Sequence, residues 1–197
     1  MPAPSSQPTD AQLLAAYLGG DQQAFARLYD RHDRQVFGFI GRLLGRDAVN
    51  LAEDLHQDCW VAVARSAASF DAGKARFVTW LFTIARNKVM DHFRADKSAA
   101  EQRADDLGLS LADFSDTLSR LPERVLESRQ LSDELLRAVE ALPEAQRETF
   151  VLFAQMDLSL NEVAGITGVG LETAKSRLRY AREALRADLR AWRPQHV

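Results

Sequence analysis

The sequence predicts an all-α protein of two small helical domains joined by a flexible acidic linker, on three observations. Apolar residues recur at three- and four-residue spacing along most of the chain, the period of a helix with one buried side. Val and Ile are scarce beside Ala, Leu and Arg, and no segment alternates apolar with polar residues, so nothing reads as a strand. Between the two halves the stripes give way to Glu101, Asp105, Asp106, Asp113, Asp116, Glu123 and Glu127 among small residues and scattered leucines, which reads as a linker with at most one transient helix. The expected division is a disordered tail at 1–9, a first domain at 10–97, the linker at 98–130 and a second domain at 131–193.

In the first domain, Thr9 or Asp10 can cap a short helix that Gly19-Gly20 ends. Asp21 caps the next, which runs to about Gly45 and carries Phe25, Leu28, Val36, Phe37, Ile40 and Leu43. A third helix begins near Asp47, with Leu51, Leu55, Cys59 and Val63 on its apolar side. Its other side holds Glu53, Asp54, Gln57 and Asp58. No nucleophile or phosphate loop converges on these acids, so they read as an exposed face able to dock a basic partner rather than as acid–base machinery. His56 and Cys59 have the i, i+3 spacing of two metal ligands, but two are too few for a structural zinc and Cys59 lies on the apolar stripe. Neither a metal nor a cofactor is expected.

Ser69 to Arg76 forms a loop around Gly73, and a fourth helix follows from Phe77 to Arg94. Phe77, Trp80, Leu81 and Ile84 make its buried side. Thr79, Thr83, Arg86, Asn87, Met90 and Arg94 project on the other. Arginines for phosphate, an amide for a base edge and the nearby ring of Phe70 for stacking suit single-stranded DNA, and an ordinary wet amphipathic face suits the same residues equally.

The second domain starts with a helix from about Leu131 to Leu142 and another from Pro143 through Met156, whose Phe150, Val151, Leu152 and Phe153 supply a core. The stretch from Leu158 to Leu185 then reads as a helix-turn-helix. Ser159 and Glu162 have capping-box spacing, and Gly168-Val169-Gly170 supplies the corner. In the last helix Ala174, Leu178, Ala181, Leu185, Leu189 and Trp192 form a buried stripe, with small residues where the preceding helix must come close. Lys175, Arg179, Arg182 and Arg186 form another, beside Ser176 and Tyr180, and these can reach base edges and phosphates in a major groove.

Composition limits the function classes. A net charge of −3 argues against a protein that coats nucleic acid indiscriminately, while the basic run from Lys175 to Arg193 fits a local DNA footprint beside a second, non-DNA partner. A single cysteine allows no intramolecular disulfide and fits a reducing cytosol. The first residues carry neither a basic region nor an apolar core, so no signal peptide is expected, and no apolar run is long enough to span a bilayer. A cytoplasmic protein is expected.

Two stretches resemble the bacterial RNA polymerase sigma factors of the extracytoplasmic-function (ECF) group of the sigma-70 family. Ala52-Glu-Asp-Leu-His-Gln-Asp-Cys-Trp60, Ser69-Phe70 and Phe77-Val-Thr-Trp-Leu-Phe-Thr-Ile-Ala-Arg-Asn87 are similar to region 2. Leu142-Pro-Glu-Ala-Gln-Arg147, Leu158-Ser159, Glu162-Val-Ala164, Thr173-Ala-Lys-Ser-Arg-Leu178 and Ala181-Arg182 are similar to region 4. The family usually has Pro at Gly170 and Gly at Glu172, and the loop from Asp71 to Arg76 departs from its common pattern in length and charge.

The resemblance implies a transcription factor without catalysis that binds core RNA polymerase and directs promoter-specific initiation. It implies that Asp54, Gln57 and Asp58 dock on polymerase. Phe70 and Asn87 would capture a flipped base of the −10 element, with Arg86 and Lys88 near the backbone. Lys175, Ser176, Arg179 and Tyr180 would face the −35 element with Thr173 at the helix start, and Arg177 and Arg182 would serve phosphates or local ion pairs. It further implies an anti-sigma partner. The readings that compete with it are a stand-alone helix-turn-helix regulator with an N-terminal sensing domain and an enzyme using Asp54 and Asp58.

Overall fold

The computed structural model describes residues 7–45, 48–107 and 127–191, and every element in them is helical. The helices are α1 (Asp10–Leu18), α2 (Gln22–Leu44), α3 (Val49–Ser66), α4 (Phe77–Leu107), α5 (Glu127–Glu140), α6 (Glu144–Gln155), α7 (Leu160–Thr167) and α8 (Leu171–Ala191), with a 3-10 turn at Ala67–Ser69.

Local chemistry sets most of the boundaries. Thr9 caps α1 in a full capping box with Gln12, and Gly19 closes it. Asp21 accepts from the amides of Gln23 and Ala24, satisfying two of the free donors at the start of α2. Helix α3 begins at Val49 after Ala48, which offers no side-chain cap, and Asp47 lies outside the described residues. Pro143 sits at the N-cap of α6 rather than inside its first turn; its ψ of 138° is extended, and the helix starts at the next residue.

Helix α4 continues to Leu107, past the end expected near Arg94. The added residues are mostly Ala, Glu, Gln, Arg and Asp, and few of them oppose a helix. Of the expected linker, residues 98–107 and 127–130 are therefore helical, and 108–126 lie outside the described residues. The expected tail also splits: Arg31 donates to the carbonyl of Pro8 at 3.2 Å, while residues 1–6 lie outside the description.

Helices α1 to α4 enclose Leu14, Leu28, Val36, Phe39, Ile40, Cys59, Val63, Leu81, Phe82 and Val89, all fully buried. Phe39 meets Phe82 edge-on at 5.3 Å, and this ring pair joins the C-terminal part of α2 to the N-terminal part of α4. Helices α5 to α8 enclose Val139, Val151, Leu152, Val163, Ile166, Ala174, Leu178, Ala181 and Leu185. The two units are in contact: α7 packs on α4, and α5 and α6 pack on α2.

Candidate nucleic-acid interface

The helix-turn-helix is built as its sequence dictates. Ser159 accepts from the Glu162 amide, and the Glu162 carboxylate accepts from the Ser159 amide and hydroxyl at 2.9 and 2.8 Å. Gly168 then takes a left-handed conformation, φ 69°, where any side chain would be strained. Helix α8 starts at Leu171 and buries Ala174, Leu178, Ala181 and Leu185 against α6 and α7.

That packing turns the opposite face of α8 outward. Thr173, Lys175, Ser176, Arg179, Tyr180 and Arg182 are exposed, and Arg177 is half-buried. The guanidinium of Arg179 lies 4.7 Å from the Tyr180 ring centroid, and that of Arg182 lies 5.2 Å from the ring of Phe153 on α6. Arg182 is thus tied to its own unit, while Lys175 pairs with Glu172 at 2.7 Å. Trp192 falls outside the described residues.

The second face lies on α4. Its buried side comprises Phe77, Leu81, Phe82, Ala85 and Val89, with Trp80 and Ile84 half-buried. Phe82 was not expected there. Phe70 sits half-buried at the mouth of the loop, 5.4 Å from the ring of Trp80 and 5.9 Å from that of Phe77. The Asp71 carboxylate accepts from the Gly73 amide and shapes that loop. Asn87 is exposed, and Lys88 lies 3.8 Å from Asp58 of α3.

Arg86 is engaged by the other unit. Its Nε donates to Glu148 of α6 at 2.5 Å, and the Glu148 side chain is only 4% exposed. Burial raises the Glu148 carboxyl above its ordinary range, although Arg86 and Arg177 pull it down. About two turns toward the N-terminus, Thr79 donates to Glu162 of α7 at 2.7 Å, and Arg76, just before α4, pairs with the same carboxylate at 3.3 Å. Burial pushes the Glu162 carboxyl up, but Thr79, Ser159 and Arg76 together hold it below its usual value. Sequence reasoning missed both contacts. Glu162 was already accounted for by its cap, and the partners lie 62 and 86 residues apart in the chain.

The third surface is on α3, where Asp54, Gln57 and Asp58 are exposed together. His56 points inward instead, its Nε2 lying 3.0 Å from the Trp60 indole nitrogen and 2.9 Å from the Asp33 carboxylate. Burial pushes the Cys59 thiol up to about 12, against the smaller pull of Lys88, so this side chain is unreactive. The described helices include none long and apolar enough to cross a membrane.

Comparison with known proteins matches this arrangement in both halves. Residues 28–99 match the family Sigma-70 region 2, and residues 132–185 match Sigma-70, region 4. The ECF RNA polymerase sigma factor SigW of Bacillus subtilis is 33% identical over 174 residues, covering 87% of this chain and 91% of its own. RpoE of Cereibacter sphaeroides is 35% identical over 169 residues, covering 86% and 88%. Among solved structures, the sigma factor RpoE bound to the anti-sigma factor NepR from Bartonella quintana superposes with a TM-score of 0.64 at 26% identity, covering 86% of this chain and 98% of that one. CnrH, solved with the cytosolic domain of CnrY, gives 0.65 at 24% identity, covers 93% and 99%, and supports the fold. Both regions in order, and relatives aligned over nearly the whole length, place this chain in the ECF group of the sigma-70 family of RNA polymerase sigma factors.

Proposed function

We propose that the protein is a non-catalytic, cytoplasmic subunit of RNA polymerase that selects promoters through two separate DNA faces. Helix α8 reads the −35 element as duplex. Lys175, Ser176, Arg179 and Tyr180 face base edges and phosphates, Thr173 stands at the helix start, and Arg177 and Arg182 add positive charge near the backbone. The observation that carries this reading is the exposed polar and cationic face of α8, opposite a stripe buried against α6 and α7, in a chain with both sigma regions.

Helix α4 and the preceding loop act on the −10 element. Unstacking a base costs a few kcal/mol, which stacking on Phe70, the Asn87 amide at a base edge and the charges of Arg86 and Lys88 would offset. Asp54, Gln57 and Asp58 of α3 dock on core polymerase. An anti-sigma factor is the expected regulatory partner, since the NepR-bound relative shares this architecture. None of these tasks needs a cofactor or a metal.

Transcription reconstituted from purified core polymerase, this protein and selected promoter DNA tests the proposal. Initiation at a defined start should require the protein. A protein that binds duplex promoter DNA unaided yet starts no transcript would be a stand-alone regulator instead.

A further inference from the structure

We infer that Asp10 of α1 and His32 of α2 are positioning residues for base capture: through the ring of Phe77 they hold Phe70 where a flipped base stacks. This inference rests on the reading of Phe70 as the ring that takes that base. A row of rings runs from the interior to the loop. The His32 ring lies 5.5 Å from that of Phe77, which meets Phe70 edge-on at 5.9 Å. Trp80 flanks Phe70 at 5.4 Å. His32 and Phe77 are buried and Phe70 is half-buried, so the loop ring rests on a packed floor and stays partly open to solvent.

The orientation of His32 depends on α1. Its Nε2 meets the Asp10 carboxylate at 2.9 Å, and its buried Nδ1 has no hydrogen-bond partner among the described residues. One hydrogen bond therefore sets the plane of the ring, with Nε2 as the donor. The second oxygen of Asp10 accepts from Arg31, which also donates to the Pro8 carbonyl at 3.2 Å. Neighbouring residues of α2 thus pin the first turn of α1, and α1 touches the 3-10 turn at Ala67–Ser69. The Ala67 carbonyl accepts from the Phe70 amide at 3.2 Å, so α1 supports Phe70 through the backbone as well as through the rings. A stacking ring must be in place before the base arrives, because a displaced ring leaves the unstacking cost unmet.

The test uses holoenzyme containing the full chain on a promoter selected with it. Permanganate reactivity of the −10 thymines reads opening, and mobility shift of the duplex −35 segment reads recruitment and folding. Phe70→Ala should lower opening about tenfold, the loss of one base–ring stack. Asp10→Ala should lower it about threefold and leave duplex binding unchanged, since the ring is displaced rather than removed. In a Phe70→Ala background Asp10→Ala should add nothing further, because one residue acts through the other. Asp10→Asn, whose amide oxygen still accepts from Nε2, should recover most of the opening. An Asp10→Ala protein that also loses duplex binding is misfolded. His32→Gln, which keeps a donor toward Asp10 but no ring against Phe77, then decides in the same two backgrounds. Unchanged opening, equal loss with and without the Phe70 ring, or no recovery by asparagine overturns the positioning role. If Phe70→Ala itself opens the promoter normally, the reading of Phe70 falls and this inference with it.

Discussion

Lys175 and Arg179 are exposed neighbours on α8, and their surroundings differ. Lys175 shares its charge with Glu172, and Arg179 lies over Tyr180. Removing either cation should weaken promoter duplex binding about tenfold in a titration with holoenzyme, as losing one good base or phosphate contact costs roughly 1–3 kcal/mol. Glu172→Gly should act the other way and tighten binding by a few-fold, because it releases Lys175 and removes an anion from the helix terminus that phosphate approaches. At the opposite end of the chain, Asp10 bonds His32 at 2.9 Å and pairs with Arg31. Burial raises its carboxyl, but His32 and Arg31 together hold it below the ordinary carboxylate range. A depressed carboxyl stabilises the fold above its unfolded pKa and loses that contribution as pH falls through the lower folded value. Asp10→Asn should therefore melt earlier than wild type at neutral pH, and the gap should close in strong acid.

The helix-turn-helix shows how element boundaries follow from single residues. Ser159→Ala removes the cap of α7 and should cost about 1 kcal/mol in a denaturant titration. Gly168→Ala places a Cβ at a left-handed turn and should cost roughly 1–2 kcal/mol. Both features were legible in the sequence, because caps and glycine turns act over a few residues. So were the stripe of α8 and the exposed acids of α3. Less legible were elements whose ends depend on weak signals. The polar run after Arg94 has few strong helix breakers, so its composition read as linker while α4 continues to Leu107. Phe82 escaped because α4 is buried on a wider arc than one stripe, packing on both α2 and α3. Asp157, at φ 50°, turns the chain between α6 and α7; aspartate enters the left-handed region more readily than most residues, but adopts it too rarely for its presence alone to mark the turn.

For the molecule as a whole, a sequence reads faces and cannot read which faces meet. Arg86 and Asn87 are adjacent, and both were assigned to one DNA surface. Asn87 stands exposed, whereas Arg86 is held by a glutamate 62 residues away. In the proposed division of labour, α8 recruits duplex and α4 stabilises melted strand. Its most direct test compares Arg179→Ala and Asn87→Ala holoenzymes on one selected promoter, reading duplex binding by mobility shift and melting by permanganate reactivity. The Arg179 variant should lose recruitment, whereas the Asn87 variant should still bind the duplex and melt it about tenfold less, as loss of a base contact predicts. Equal losses at both steps in both variants would mean that the two helices do not divide the work in this way.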